Sequence, residues 1–372
     1  MTRTTVLDDP NEIRKIDKKD MLSFCVNFAK HCTEAAKLAK NMKLSYPKPE
    51  TIIVAGMGGS AIGGELLKDW AREKIAVPIE VCREYFLPAY ASRKTLVFVI
   101  SYSGETEESL SAYLDAIKKK CMTVCISSGG TLQKFAEKME VPHLTVPSGI
   151  APRAALPYLF IPLPILMEKI DLVSGVYSEI SETLSLLKDI GAANAPDKPL
   201  KENFSKKLAL DICGTVPVIY GFGIYRAVAQ RLKQQFNENS KIPSKWETFP
   251  ELNHNEIVGW ESALELAKLF SVIFLRDAYE PEAIRERIIT TQELMSRASV
   301  KTFEMHGVGK SVLARMLSAI CVGDFVSVYL AILRGLDPTP VKTIAFLKEK
   351  MKSVGVKEKV ISELQKLVNT NS

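Results

Sequence analysis

Two segments of this chain combine glycines with hydroxyl side chains in a way that suits the binding of a phosphate group. The first, within IIVAGMGGSAIGG, is Gly56–Ala61, which we call the glycine turn and which fits the spacing G-x-G-x-x-A. The second, SYSGET, is the serine turn, where Ser101, Ser103 and Thr106 place three hydroxyls next to a predicted helix start. Backbone N–H groups at a helix N-terminus point at an anion, and short hydroxyls add donors without bulk.

The glycine turn alone is compatible with two kinds of ligand, a dinucleotide and a phosphate monoester. Its spacing also occurs in dinucleotide-binding domains, and Glu80 lies about where a ribose-binding carboxylate would fall. A Rossmann domain uses mainly its first turn for phosphate, whereas two turns are prepared here. This favours a phosphate monoester, with Gly59 and Ser60 as candidate contacts in the glycine turn. The structural alternatives are a plain strand-to-helix turn and simple capping by Ser103 or Thr106.

Acidic residues in and after the serine turn set a condition on this interpretation. Glu105, Glu107 and Glu108 favour the start of a helix, but their charges would repel a phosphate. If the serine turn binds phosphate, these three carboxylates must face away from it. A third turn, Ser127–Gly130, is similar in composition but less specific.

Two residues in the second half of the chain have types and placements that suit proton transfer. Glu238, in QQFNENSK, falls at the predicted end of a helix, where the dipole disfavours a carboxylate, as suits a base. His254, in PELNHNEIVGW, lies beside Asn253 and Glu256, which are spaced like a capping box. That box would put the ring in a first helical turn, where the dipole keeps it neutral. An exposed surface glutamate and a structural histidine remain the alternatives.

Arg153 stands between two prolines in GIAPRAALP, a segment with few other charges. A buried arginine there needs an acidic or anionic partner. The alternative is an ordinary surface arginine.

The elements that must position these residues repeat along the chain. TIIVAG, TLVFVI and MTVCIS each lead into a small-residue turn and an amphipathic helix, and PVIYGFG, LFSVIFL and VKTFEM begin a second set. The segment 191–200 between the two sets has the composition of a linker. We predict an α/β protein with two domains, residues 1–190 and 200–372, each a parallel sheet flanked by helices on both faces. Leading helices belong to the first domain and terminal helices to the second.

Composition excludes several other classes. The 372 residues carry a net charge of +6 without a dense basic run, which argues against nucleic-acid binding. The longest apolar stretch, Ala154–Met167, is interrupted by prolines and shorter than a membrane span, and the N-terminus lacks a signal-peptide core. Seven scattered cysteines indicate a reduced, cytoplasmic protein without disulfides. Four dispersed histidines argue against a metal site.

Several separated motifs resemble one known family. GMGGSAIGG and SYSGETEES resemble the sugar isomerase (SIS) domain. PSGIAPRAALPY, FNENSK, ELNHNEIVGW and DPTPVKTIAFLK resemble the bifunctional phosphoglucose/phosphomannose isomerases, in the family's order from about residue 50 to 350. The resemblance implies two SIS-type domains, a homodimer and no metal or cofactor.

The resemblance also implies roles for individual residues. Glu238 matches the base that forms the enediol, His254 the ring-opening residue, and Arg153 the arginine that stabilises the enediolate. The family uses a lysine near the C-terminus, for which Lys348 is the first choice and Lys342 the second.

The expected function is therefore an aldose–ketose isomerase that interconverts glucose 6-phosphate and mannose 6-phosphate with fructose 6-phosphate. The alternatives are a non-catalytic SIS-domain sugar-phosphate sensor and, less favoured, an NAD-dependent dehydrogenase. A metal-dependent heptose isomerase would need a histidine–carboxylate cluster. We expect residues of both domains to line the pocket, and the sequence leaves open whether a second subunit contributes.

Overall fold

A computed structural model of the protein describes residues 6–261 and 264–371. By their contacts these residues fall into two compact units. The first-sheet unit comprises His31–Tyr177 and the residues from Val341 onward, and the second-sheet unit comprises Ser178–Pro340 and the described residues up to Lys30. The division into domains at residues 190 and 200 stays a prediction. The proposed linker, 191–200, lies inside the second-sheet unit.

The first-sheet unit is built on five parallel strands in the order β2-β1-β3-β4-β5. Val54 pairs with Val81 on one side and with Phe98 on the other. All residues of β3 and β4 are buried, because helices cover both faces of a parallel sheet and its strands become continuous apolar runs. The strands are β1 (Thr51–Ala55), β2 (Ile79–Cys82), β3 (Thr95–Ile100), β4 (Met122–Ser127) and β5 (His143–Thr145).

Helices alternate with these strands as the sequence predicted. In the first-sheet unit they are Gly59–Ala71, Glu107–Lys118, Gly130–Lys138, Leu156–Phe160, Pro162–Lys169, Lys342–Met351 and Val356–Asn371. The boundaries between the two units fall within two further helices, Phe28–Asn41 and Val176–Ala193.

The C-terminal helix, Val356–Asn371, belongs to the core of the first-sheet unit. Its Val360 and Leu364 are buried in one cluster with Leu110 and Leu114 of the helix Glu107–Lys118. Sequence order alone predicts the terminal helices in the second domain, but apolar side chains with helical spacing dock wherever a matching face exists.

The second-sheet unit repeats the plan with four parallel strands in the order β7-β6-β8-β9. They are β6 (Val216–Phe222), β7 (Lys245–Phe249), β8 (Phe270–Arg276) and β9 (Lys301–His306). Strand β7 is not among the strands that the sequence pattern predicts. This edge strand, KWETF, is exposed or half-buried except at Phe249, so it lacks the apolar run that marks the central strands.

Helices on both faces complete this unit, around the largely buried helix Val312–Leu333. It is the one helix among the described residues that is long and apolar enough to span a membrane, but 89% of its most apolar window is buried within the protein, as in a core helix. The remaining helices are Pro10–Ile16, Met21–Val26, Phe204–Asp211, Arg226–Glu238, Leu264–Ala267 and Glu282–Arg297. The parallel α/β architecture agrees with the sequence prediction.

The docking of the C-terminal helix can be tested by truncating its core side chain. We expect Leu364→Ala to lower the free energy of unfolding by about 2–5 kcal/mol, because it leaves a cavity at a fully buried position. Ser362→Ala, at an exposed position of the same helix, is the control and should change stability by less than about 0.5 kcal/mol. Urea unfolding measures both. Equal effects of the two substitutions would show that the helix does not pack as described.

Candidate active site

The glycine turn and the serine turn follow two adjacent strands at the carboxyl edge of the first sheet. The glycine turn comes after β1 and the serine turn after β3, where the strand order reverses. Ligands of open parallel sheets bind in the crevice at such a switch point. The order 2-1-3-4-5 is that of flavodoxin-like sheets, and differs from the 3-2-1-4-5-6 order of classic dinucleotide-binding domains.

The two turns contact each other directly. The backbone N–H of Tyr102 donates to the hydroxyl of Ser60 over 3.3 Å. A Cβ atom added to Gly56 would lie 2.9 Å from the carbonyl oxygen of Ile100, so a side chain there would push the turns apart. The structure therefore brings Gly59 and Ser60 beside the predicted phosphate residues of the serine turn.

Hydroxyl groups organise the serine turn from within. Ser101 donates from its Oγ to the Oγ1 of Thr106 over 3.0 Å and accepts the N–H of Thr106 at 3.4 Å. Ser101 is buried, whereas the hydroxyl of Ser103 is on an exposed residue. Within the described residues, neither Thr106 nor Gly58, the N-caps of the helices after the two turns, makes a side-chain capping hydrogen bond. Thr106 thus does not act as the simple N-cap that we considered as an alternative.

Two of the three acidic residues, Glu105 and Glu107, are bonded to partners outside the serine turn, as the phosphate hypothesis requires. The carboxylate of Glu105 accepts hydrogen bonds from Thr131 and pairs with Lys357. Glu107 accepts a hydrogen bond of 2.7 Å from the hydroxyl of Tyr85. Thr131 and Lys357 are not predictable from the sequence, because no local spacing signals a partner so far along the chain.

Arg153 is buried next to the glycine turn. The residue is only 2% exposed, which rules out an ordinary surface arginine. A Cβ atom added to Gly59 would lie 3.0 Å from the carbonyl oxygen of Pro152 and 3.4 Å from the backbone nitrogen of Arg153. Glycine at position 59 is thus what lets this segment approach the turn.

Glu238 lies where the sequence predicted it, at the last position of the helix Arg226–Glu238. The side chain is half-buried. Hydrogen bonds fix the backbone that follows: Asn239 donates to the hydroxyl of Ser327 over 2.9 Å, and Ser240 donates to the carbonyl of Ser327 over 2.6 Å. This end of the helix is therefore held against the buried helix Val312–Leu333.

His254 is exposed, but not in the predicted setting. It ends a 3₁₀ turn that follows β7, and the predicted capping box is wrong. The side chain of Asn253 donates to Thr291, and Asn255 instead accepts the N–H of Glu256. Asn255, with φ of −148° and ψ of −61°, separates two short 3₁₀ turns, so a continuous helix cannot begin at Asn253.

The second-sheet unit places Glu238 before β7 and His254 after it. The helix that ends at Glu238 starts just after the carboxyl end of β6 and runs back for about 18 Å towards the amino edge. It must do so because β7 is parallel to β6. The segment that carries His254 also turns back from the carboxyl end of β7, since Glu256 pairs with Lys245, the first residue of that strand.

A family model and the sequences of known proteins indicate the same family. Residues 201–351 match the model of the bacterial phospho-glucose isomerase C-terminal SIS domain. The bifunctional phosphoglucose/phosphomannose isomerase of Caldicellulosiruptor bescii is 41% identical over 337 residues, which are 90% of this chain and 99% of that protein. The chain belongs to the bifunctional phosphoglucose/phosphomannose isomerase family.

Other members of this isomerase family and solved structures agree. The enzyme of that name from Aquifex aeolicus is 35% identical over 81% of this chain and 90% of its own length. A glucose-6-phosphate isomerase like protein from Thermus thermophilus has the same fold, with a TM-score of 0.61 and 16% identity over 90% of this chain and 98% of its own.

The two candidates for the functional C-terminal lysine lie in similar environments. Lys348 and Lys342 are both exposed, on a helix whose residues are all exposed or half-buried. The choice of Lys348 over Lys342 stays a prediction, as do the roles of the other predicted site residues.

The close packing of the serine turn can be tested at a glycine. We expect Gly104→Ala to lower the free energy of unfolding by about 3 kcal/mol, because φ is +69° and the new Cβ would lie 1.9 Å from the carbonyl oxygen of Gly129. Gly149→Ala is the matched control. Its φ is +82°, but no described atom lies within 4 Å of the Cβ, so only the backbone term of about 1 kcal/mol applies. Similar losses in urea unfolding would contradict the packing.

Proposed function

We propose that this protein isomerises hexose 6-phosphates, converting glucose 6-phosphate and mannose 6-phosphate to fructose 6-phosphate and back. Membership of the family supports the reaction class. The observation that supports the substrate class is the contact between the glycine turn and the serine turn at the switch point of the sheet. Hydroxyls from two turns and two helix N-termini suit one phosphate monoester.

The proposed chemistry begins with the anchored sugar. Ser60, Ser101, Ser103 and Thr106, with backbone N–H groups including that of Gly59, hold the phosphate. His254 accepts the hydroxyl proton of O1 and delivers a proton to the ring oxygen as the bond between C1 and that oxygen breaks, which leaves the open-chain aldehyde. These steps leave C1 and C2 free to react.

The isomerisation is a proton transfer between neighbouring carbons. Glu238 removes the proton from C2, the C–H electron pair forms the C1–C2 double bond, and O1 becomes an oxyanion that Arg153 stabilises. After O1 gains a proton and O2 loses one, the protonated Glu238 returns its proton to C1 and the ketose forms. Because glucose and mannose differ only at C2 and C2 is planar in the enediol, one intermediate serves both sugars. Lys348, or alternatively Lys342, is assigned a supporting role by the family pattern alone.

We also propose that the enzyme is a cytoplasmic homodimer in which one copy supplies Glu238 and the other supplies His254 to each site. The exposure of His254 supports this arrangement, because an exposed side chain is accessible to a second copy. All seven cysteines are free, in keeping with a reducing compartment.

Substitution of the two proton-transfer residues tests the assignments. We expect Glu238→Gln and His254→Asn each to lower kcat by about 100-fold or more, because each removes a group that transfers a proton. The measurement is a coupled assay with glucose 6-phosphate and with mannose 6-phosphate, with a chelator present. Glu265→Gln and His306→Asn, at exposed positions of the same unit, are controls that should keep wild-type kcat. Activity of both site variants within ten-fold of wild type would refute the roles, and tight fructose 6-phosphate binding by an inactive wild type would indicate a sensor.

Mixing the two inactive variants tests the shared site. When Glu238→Gln and His254→Asn chains are co-refolded, half of the dimers are mixed, and each mixed dimer has one site with both natural residues. We therefore expect about a quarter of wild-type activity to return. The control is the double variant, Glu238→Gln with His254→Asn, refolded alone. If differently tagged chains co-purify as mixed dimers and yet stay inactive, the two residues act from the same chain.

A further inference from the structure

The carboxylate of Glu105 links three separate parts of the first-sheet unit. It belongs to the serine turn, it accepts the backbone N–H of Thr131 at 2.7 Å and the hydroxyl of Thr131 at 3.0 Å, and it pairs with the ammonium of Lys357. Thr131 is the second residue of the helix Gly130–Lys138, and Lys357 is the second residue of the C-terminal helix. One side chain thus connects the serine turn to the starts of two helices.

Glu105 performs the N-capping of the helix Gly130–Lys138 from outside that helix. The cap residue, Gly129, has no side chain to do so. The backbone adds a second connection, from the N–H of Leu132 to the carbonyl of Gly104 over 3.0 Å. The approach is close enough that a Cβ atom at Gly130 would lie 2.5 Å from the carbonyl oxygen of Ser103. The conformation of the serine turn is therefore tied to this helix.

A carboxylate within a phosphate-binding turn also has an electrostatic cost, which Lys357 offsets. Partial burial raises the pKa of the Glu105 carboxyl, but the hydrogen bonds from Lys357 and Thr131 outweigh it, so the net pKa is lowered and the group is charged at neutral pH. Without Lys357, that negative charge would act against the bound phosphate dianion.

The charge of Lys357 does not stabilise the helix that carries it. It is the second residue of Val356–Asn371, where the helix dipole disfavours a cation. The helix itself is fixed through the buried Val360 and Leu364. A lysine that is unfavourable locally but paired across the unit points to a role at its partner.

We propose that Glu105 and Lys357 are positioning residues for the substrate phosphate. Glu105 holds the serine turn in its binding conformation, and Lys357 neutralises Glu105 so that the turn accepts a dianion. This inference rests on the proposed function, because it takes the serine turn as the phosphate site. Neither residue touches the reacting carbons.

The first test separates binding from turnover. We expect Lys357→Met to raise the KM for fructose 6-phosphate, and the inhibition constant of inorganic phosphate, about three- to five-fold, with kcat within two-fold of wild type. Lys357→Arg should restore both constants because it keeps the charge. Lys359→Met, at an exposed position of the same helix, is the matched control. A purely structural role would lower the yield of folded enzyme and leave KM unchanged, and that result would overturn the proposal.

A double-mutant cycle shows whether Lys357 acts through Glu105. In a Glu105→Gln background, where the amide still accepts from Thr131 but the charge is gone, Lys357→Met should change KM by less than two-fold. The same three- to five-fold rise in both backgrounds would overturn the proposal.

The Kd of inorganic phosphate, measured by calorimetry, tests the positioning role without relying on catalysis. If the wild type binds phosphate but isomerises no hexose 6-phosphate, the proposed function fails, while the Kd of phosphate for each variant still tests the positioning role. Equal Kd values for wild type and Lys357→Met would end the proposal whether or not the protein is active.

Discussion

The structure depends on one constraint, the close contact between backbone turns at the carboxyl edge of the first sheet. The hydrogen bond from Tyr102 to Ser60 joins the glycine turn to the serine turn, and the serine turn meets the next turn with no room for a Cβ at Gly104. These contacts require glycines and short hydroxyl residues. The same residues leave N–H and O–H donors at two helix starts, so the packing requirement and the proposed phosphate-binding chemistry favour the same residue types.

The two sheets share the order of their first four strands, but different types of residue follow those strands. In the second-sheet unit, the segment after β8 is occupied by ion pairs: Arg276 binds Glu280 over 2.8 Å, and Arg315 binds Asp277 over 2.8 Å. These four side chains are largely buried, and each charge is paired, as a buried charge must be. The glycine turn and the serine turn lie at the first sheet's switch point, and the similar turn at Ser127–Gly130 lies at the end of β4 of the same sheet. The two sheets therefore share an architecture, and they differ in the residues that follow their strands.

Local patterns predicted most elements, and long-range contacts account for the failures. Buried strands such as β3 and β8 were predictable because their apolar runs reflect burial on both faces. The polar edge strand β7 lacks that signal, and the capping box at Asn253 matched a spacing while the side chain bonded elsewhere. Candidate residues of the serine turn were found from composition alone. Lys357 was not, because its pairing with Glu105 depends on where the C-terminal helix docks.

The position of Glu238 follows from a buried ion pair rather than from its own turn. Arg231 and Gln235, on the same helix, bind the two carboxylate oxygens of Asp324, each over 2.9 Å, and removing one partner of such a buried pair costs about 3–5 kcal/mol. This pair fixes the rotation of the helix, so it also fixes the direction in which Glu238 points. That helix end lies away from the carboxyl edge of its own sheet, where α/β proteins usually bind ligands. This position agrees with the proposed role, in which Glu238 acts as a base on a sugar whose phosphate is not bound by its own strands.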